Sequence, residues 1–295
     1  MEHFSRRTFM TAMGAFRCLP DVIADTPHPE PLVRFGMITD IHHPDEAGRL
    51  PKLATAVAVL NARKVDFLIE LGDLKDSYYN GGKTWEQDLL EGENALRAFN
   101  GPLYHVLGNH DMDYVSKPDF LSRISNGADP NGPHPERGYY SFERKGVKFI
   151  VLDACFDAKG RDYCKYRSSE SGKVGDWTKA YVCDEEMEWL KAELAAAGRP
   201  VIVFSHQRLD AALSDGDHRI TNAAAVRDVL SRSHKVKAAF AGHYHPGGKS
   251  NEGGVFYYGL KAVRLASKST ATDNSFAEVA CYPDGHVSVV HFTKA

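Results

Sequence analysis

Five short apolar runs, each followed at once by side chains able to bind a metal, constrain this chain more than any other feature. The run 35–39 leads into Asp40-Ile41-His42, and 67–71 leads into Gly72-Asp73-Leu74-Lys75-Asp76. Then 103–107 leads into Gly108-Asn109-His110-Asp111, 201–204 into Ser205-His206, and 236–241 into Gly242-His243-Tyr244-His245. Runs rich in β-formers that alternate with helix-period segments make βαβ units around a mainly parallel core. In such sheets the carboxyl ends of the strands share one edge, and ligands bind there. The spacing agrees: Asp40 to Asp73 is 33 residues, Asp73 to Asn109 is 36 and His206 to His243 is 37, each enough for a strand, a crossover helix and a return.

Between the runs, 51–64 puts Leu53, Val57 and Leu60 on one helical face. The segment 184–197 opens with carboxylates, places Met187, Leu190 and Leu194 on a stripe, and stops at Gly198. Helices are also expected over 85–99 and 222–233. The rhythm changes at 139–142 and 147–152, which flank Arg144-Lys145-Gly146 and read as a β-hairpin. Three later runs, 255–260, 276–282 and 287–292, predict an antiparallel C-terminal third. The stretch 156–183 has no period and carries Tyr163, Tyr166, Trp177 and Tyr181. It reads as a long surface insertion, expected to pack on itself, with stacking on a base or aryl group as the functional alternative.

Residues 1–30 differ in texture. Arg6-Arg7 precedes a modest apolar stretch and a small-residue exit at Val22-Ile23-Ala24, which resembles a twin-arginine export signal. The segment is set apart from the fold as a leader or loose arm, and export to the periplasm is the expected location, with the cytoplasm as the alternative. The domain proper then runs from 31 to 295. The five cysteines show no C-x-x-C spacing, so a thiolate zinc site is not supported, while Cys164 and Cys183 could bridge a local loop if the chain is exported.

Composition narrows the function. With 43% hydrophobic and 25% charged residues, the 295-residue chain has a globular balance, and a net charge of −3 offers no basic field for a nucleic-acid polymer. No apolar run is long enough to span a membrane. The expected partner is a small-molecule phosphoester, with oligomeric state left open. The donors Asp40, His42, Asp73, Asn109, His206, His243 and His245 combine oxygen and imidazole without thiolate, which suits Mn, Fe, Zn or Co better than Ca or Mg. Seven side chains are too many for one catalytic zinc that keeps a position for water. Two metal ions with a bridging carboxylate fit better, and such pairs clamp the attacking and departing oxygens at phosphorus.

At these residues the chain resembles the calcineurin-like metallophosphoesterase family, whose pattern is D-x-H, G-D-x-x-[DN], G-N-H-[DE], a later His and G-H-x-H. All five elements occur in order between Asp40 and His245. The resemblance implies an α/β sandwich of two mixed β-sheets flanked by helices. It puts Asp40, His42, Asp73 and His245 on one ion, and Asn109, His206 and His243 on the other, with Asp73 bridging. It makes His110 the histidine that protonates the leaving group and Asp111 its orienting carboxylate. The implied reaction is hydrolysis of a phosphodiester or pyrophosphate by a metal-bridging hydroxide; a phosphomonoesterase and a catalytically silent metal-binding scaffold are the alternatives. The runs 38–42, 70–73 and 138–142 look nearest to the manganese-dependent ADP-ribose and CDP-alcohol diphosphatase branch. That branch typically has Gln at the position of His42, so its metal preference and substrate do not transfer directly. His43, Lys75 and Arg208 flank ligand positions and are candidates for phosphate contacts.

Overall fold

The computed structural model describes residues 16–20, 29–44, 49–76, 84–124, 126–127, 135–163, 175–198, 200–213, 215–263 and 275–294. Its twelve strands are β1 (Phe16–Pro20), β2 (Val33–Ile38), β3 (Phe67–Glu70), β4 (Leu103–His105), β5 (Tyr140–Arg144), β6 (Val147–Val151), β7 (Val201–Ser205), β8 (Val236–Ala241), β9 (Gly248–Glu252), β10 (Val255–Gly259), β11 (Phe276–Cys281) and β12 (Val287–Lys294). The helices are α1 (Arg49–Arg63), α2 (Trp85–Leu96), α3 (Lys117–Leu121), α4 (Asp184–Ala196) and α5 (Ala223–Arg232). The strands form two six-stranded mixed sheets, ordered β1-β12-β11-β2-β3-β4 and β5-β6-β7-β8-β10-β9. Strands β2, β3 and β4 run parallel in the first sheet, and β6, β7 and β8 run parallel in the second.

The two sheets meet face to face over aromatic side chains. Phe35 of β2 stacks on Phe67 at 4.9 Å and meets Phe149, Phe204 and Phe240 of the opposite sheet edge-on at 5.5, 5.7 and 6.1 Å. Offset and edge-on contacts of this kind add to the gain from burying the rings. On the outer face of the first sheet, Leu53, Val57 and Leu60 of α1 and Leu89 and Leu96 of α2 pack against Ile38, Leu68 and Leu103. Outside the second, Leu190 and Leu194 of α4 and Val226 and Leu230 of α5 cover Ile150, Val203 and Ala239. The helix period read from α1 and α4 therefore marks the faces that are buried. Helix α2 starts with a capping box between Thr84 and Gln87.

Three placements depart from the sequence reading. The segment 255–260 was expected in an antiparallel group, but β10 lies parallel to β8, and its antiparallel neighbour is β9. Strand β9 is exposed and polar (GKSNE), without the alternation that would reveal it. Strand β1 lies inside the segment set apart as a leader, yet it pairs antiparallel with β12 and forms the outer strand of the first sheet. Arg6, Arg7 and Val22-Ile23-Ala24 lie outside the described residues, as do Cys164 and Tyr166. Among the described residues no helix is long and apolar enough to cross a membrane.

Candidate metal centre

All five strand ends open onto the seam between the two sheets. Asp40 and His42 follow β2, Asp73 follows β3 and Asn109 follows β4, whereas His206 follows β7 and His243 and His245 follow β8. A single sheet edge was the expectation; the structure draws the donors from two edges that face each other. Beyond the strands, the loops after β2 and β3 stay zipped: Asp40 N donates to Gly72 O, His42 N to Asp73 O and His43 N to Leu74 O. Asp40, His42, Asp73 and His243 take positive φ of 52°, 50°, 59° and 62°, which turns their side chains out of the strand alternation and into the seam. Two glycines let the loops close. A Cβ on Gly108 would collide with the Asp73 carboxylate and amide, and one on Gly242 with Thr39 Oγ1.

The two carboxylates divide their oxygens. Asp40 Oδ2 accepts hydrogen bonds from Thr39 Oγ1 (2.8 Å) and His243 N (3.0 Å), while Oδ1 faces His42 Nε2 at 3.6 Å and His245 Nε2 at 3.4 Å. Asp73 Oδ1 accepts from His110 N (2.8 Å), and Oδ2 lies 3.6 Å from His42 Nε2 and 3.2 Å from His206 Nε2. His206 Nδ1 donates to Leu71 O at 2.8 Å, so its Nε2 is the atom turned to the seam. Three groups of potential ligating atoms result, Asp40–His42–His245, Asp73–His206–His243 and His42–Asp76–His110, each with all its atoms within 4.8 Å of one another. The first two groups take side chains from both sheets, and the third from the loops of the first sheet alone.

Among the described residues, the buried atoms here that make no hydrogen bond include Asp40 Oδ1, Asn109 Oδ1, His206 Nε2 and His243 Nε2. Burying a polar atom unpaired costs about 1–3 kcal/mol, so four in one place are best understood as metal ligands. The electrostatics agree. Burial works to raise Asp40, but the His245 and His42 imidazoles beside it hold its carboxyl well below the usual range. Burial also works to raise Asp73, and His206 and His110 overcome it, keeping that carboxyl low. Burial and the neighbouring His206 hold His243 well below the usual imidazole range, in the neutral form that binds a cation. The donor set fits two transition-metal ions.

Around this centre the remaining site candidates take other positions. His110 stands with its ring 4.8 Å from His42 and its side chain 12% exposed, at the mouth. Its Nδ1 pairs with Asp113 Oδ2 at 2.8 Å, so the carboxylate that meets its ring is Asp113 and not Asp111. Asp111 instead points inward: Oδ2 accepts from Asp73 N and Gly108 N, and Oδ1 from Leu74 N and Lys75 N. It clamps two ligand loops together and does not face the seam. The i,i+3 spacing of His110 and Asp113 on one short turn is the signal that could have found this pair. Lys75 is fully buried, its Nζ donating to the carbonyls of His110 and Asp113. Arg208 is held by Asp210 in a buried bidentate pair at 2.6 and 2.8 Å. His43 Nε2 is 2.8 Å from Glu91 Oε2 of α2. These three side chains thus all have internal partners. Asp76, not singled out by the sequence reading as a functional group, brings Oδ2 to 3.6 Å from His42 Nδ1.

The family pattern of calcineurin-like phosphoesterases matches residues 33–247, which contain every candidate ligand. A manganese-dependent ADP-ribose/CDP-alcohol diphosphatase of Oryza sativa subsp. japonica is 29% identical, with 86% of this chain and 90% of that protein aligned. A protein of the same description from Bos taurus is 27% identical over 74% of each chain. The fold is similar to that of a dimetal phosphatase from Danio rerio, with a TM-score of 0.70, 23% identity, and coverage of 90% of this chain and 100% of that one.

Proposed function

The chain belongs to the calcineurin-like phosphoesterase family, and from that premise we propose that it hydrolyses the pyrophosphate bond of nucleoside diphosphate derivatives, with phosphodiesters as the neighbouring substrate class. It is a metal-dependent phosphoesterase. In this reading Asp40, His42, Asp73 and His245 hold one ion, and Asn109, His206, His243 and Asp73 hold the other. The observation that carries it is the position of Asp73 Oδ2, 3.6 Å from His42 Nε2 in the first group and 3.2 Å from His206 Nε2 in the second. One carboxylate oxygen thereby belongs to both sets of donors.

When bound, a pair of ions neutralises the phosphoryl oxygens and makes water nucleophilic near neutral pH. The protein supplies the rest. Asp40 and Asp73 each commit one oxygen to hydrogen bonds and keep the other for the centre, so neither must reorganise during the reaction. His110, at the mouth beside the first group, is placed to donate a proton to the departing oxygen, and Asp113 supports the charged ring. Asp76, facing Nδ1 of His42, orients that imidazole so that Nε2 is presented to the carboxylates. The manganese-dependent diphosphatases it is similar to support both the substrate class and the metal.

The test is a substrate panel of ADP-ribose, CDP-choline, a cyclic nucleotide, bis(4-nitrophenyl) phosphate and 4-nitrophenyl phosphate, each assayed with Mn, Fe, Zn and Mg. The highest kcat/KM is expected for ADP-ribose with Mn, releasing AMP. A clear preference for the monoester overturns the reading. His110→Ala should lower kcat by about 100-fold or more while two ions per chain remain bound.

A further inference from the structure

The open side of the second ligand group is walled by three rings from three separate segments. Trp177 opens a 3-10 turn (Trp177–Lys179), His218 closes another (Gly216–His218), and Tyr244 lies between His243 and His245. The Trp177 ring is 5.5 Å from that of His243 and 5.2 Å from that of His218. His218 in turn is 4.9 Å from His243 and 5.5 Å from Tyr244. None of the three is buried, and the His218 side chain is 29% exposed. Rings that touch a buried candidate ligand and still face solvent form part of the mouth.

The wall is held in place. Asp176 Oδ1 accepts from the Thr178 amide and hydroxyl at 3.0 and 2.8 Å, the Tyr163 hydroxyl donates to Asp176 O at 2.5 Å, and Thr221 N donates to Ala180 O. His218 Nδ1 lies 2.7 Å from Asp215 Oδ2, and the other Asp215 oxygen accepts from Asp217 N. A carboxylate here accepts, so Nδ1 carries the hydrogen and Nε2 is the ring nitrogen left for a ligand. Among the described residues the ring's hydrogen bond to Asp215 is its only one.

The two ends of the centre are therefore chemically unequal. The first group has the His110–Asp113 pair beside it, whereas the second has an aromatic face and a ring nitrogen held in position. We infer that Trp177, His218 and Tyr244 form the subsite for the nucleoside half of the substrate. The base stacks on Trp177, and His218 Nε2 forms a hydrogen bond with a sugar hydroxyl, which can donate or accept. A planar base and a hydroxylated sugar are the substrate parts that metal ligands cannot recognise, and this wall complements both. The inference rests on the nucleoside diphosphate reading above.

Calorimetric titration of the manganese-loaded full chain with AMP, ribose 5-phosphate and inorganic phosphate tests it, alongside metal content. Stacking on an aromatic side chain is worth about 1–3 kcal/mol per base. Trp177→Ala should accordingly weaken AMP by about tenfold, leave phosphate and ribose 5-phosphate within about twofold, and retain two ions; Trp177→Phe should restore most of the AMP affinity. Equal weakening of AMP and phosphate, or loss of metal, means that the wall only props His243 and overturns the subsite. Unchanged AMP affinity also overturns it. A wild-type protein that hydrolyses ADP-ribose while the variant's AMP affinity is unchanged loses the subsite alone. A wild-type protein that neither binds AMP nor cleaves any nucleoside diphosphate loses the substrate reading as well.

Discussion

Asp40, His42, Asp73 and His243 sit at positive φ in a region costly to residues with a Cβ, at roughly 1–3 kcal/mol each. That cost is accepted where it turns four candidate ligands toward one seam. Around them, carboxylates of similar sequence context do different work. Asp111 takes four backbone amides from the loops carrying Asp73 and Asn109, while Asp113, two residues later, takes the His110 ring. Replacing them should separate the two roles. Asp113→Asn should lower kcat by about tenfold or more with metal affinity intact, since it alters the support of the proposed proton donor His110. Asp111→Asn should weaken manganese binding by about 10–100-fold, as loss of an outer support does for metal sites. Metal titration with single-turnover kinetics distinguishes the two, and swapped phenotypes would remove this division. The motif made Asp111 visible in the sequence; it could not show which way the side chain points, because that depends on the amides it meets.

At the level of elements, the ends of β3 and β4 are tied to α2 by buried charge. Glu70 Oε1 accepts from Gly72 N at 2.8 Å, His105 Nδ1 lies 3.7 Å from Glu70 Oε2, and His105 Nε2 lies 3.0 Å from Glu93 Oε2. Arg97 pairs with Glu93 one turn along the helix. Burial pushes the Glu70 carboxyl up to about 8. Burial pulls His105 down, but Glu93 and Glu70 more than compensate and push it up to about 10. Both folded values lie above the ordinary ones, near 4.5 and 6.5. The folded state therefore holds more protons than the unfolded state across this interval, and stability falls as pH rises, through about 8 for Glu70 and about 10 for His105. Thermal melts between pH 5 and 9 should show the wild type losing stability relative to Glu70→Gln as pH increases; parallel curves would exclude Glu70 as a contributor. The helices were legible because their apolar period is local. Strand β9 was not, because GKSNE carries no alternation and is a strand only by pairing with β10.

Across the whole molecule, the aromatic layer that joins the sheets also sets the seam where the donors meet. Phe35 contacts one ring of its own sheet and three of the other, so Phe35→Ala should destabilise by about 3–5 kcal/mol in urea unfolding. Because the groups Asp40–His42–His245 and Asp73–His206–His243 span both sheets, bound metal should raise the melting temperature and chelation should lower it. Asp73→Ala should abolish most of that response, and a melting temperature indifferent to chelator would argue against a centre joining the sheets. By itself the sequence determined which donors exist and that each follows a β-run, since residue chemistry, apolar period and glycine placement are local properties. It also carried the family pattern. Only the tertiary structure decided that these donors come from two opposed sheets, that Lys75 turns inward onto the loop after β4, and that Trp177 and His218 stand beside His243. Those outcomes depend on backbone dihedrals and on contacts between segments far apart in the chain, and no local pattern encodes them.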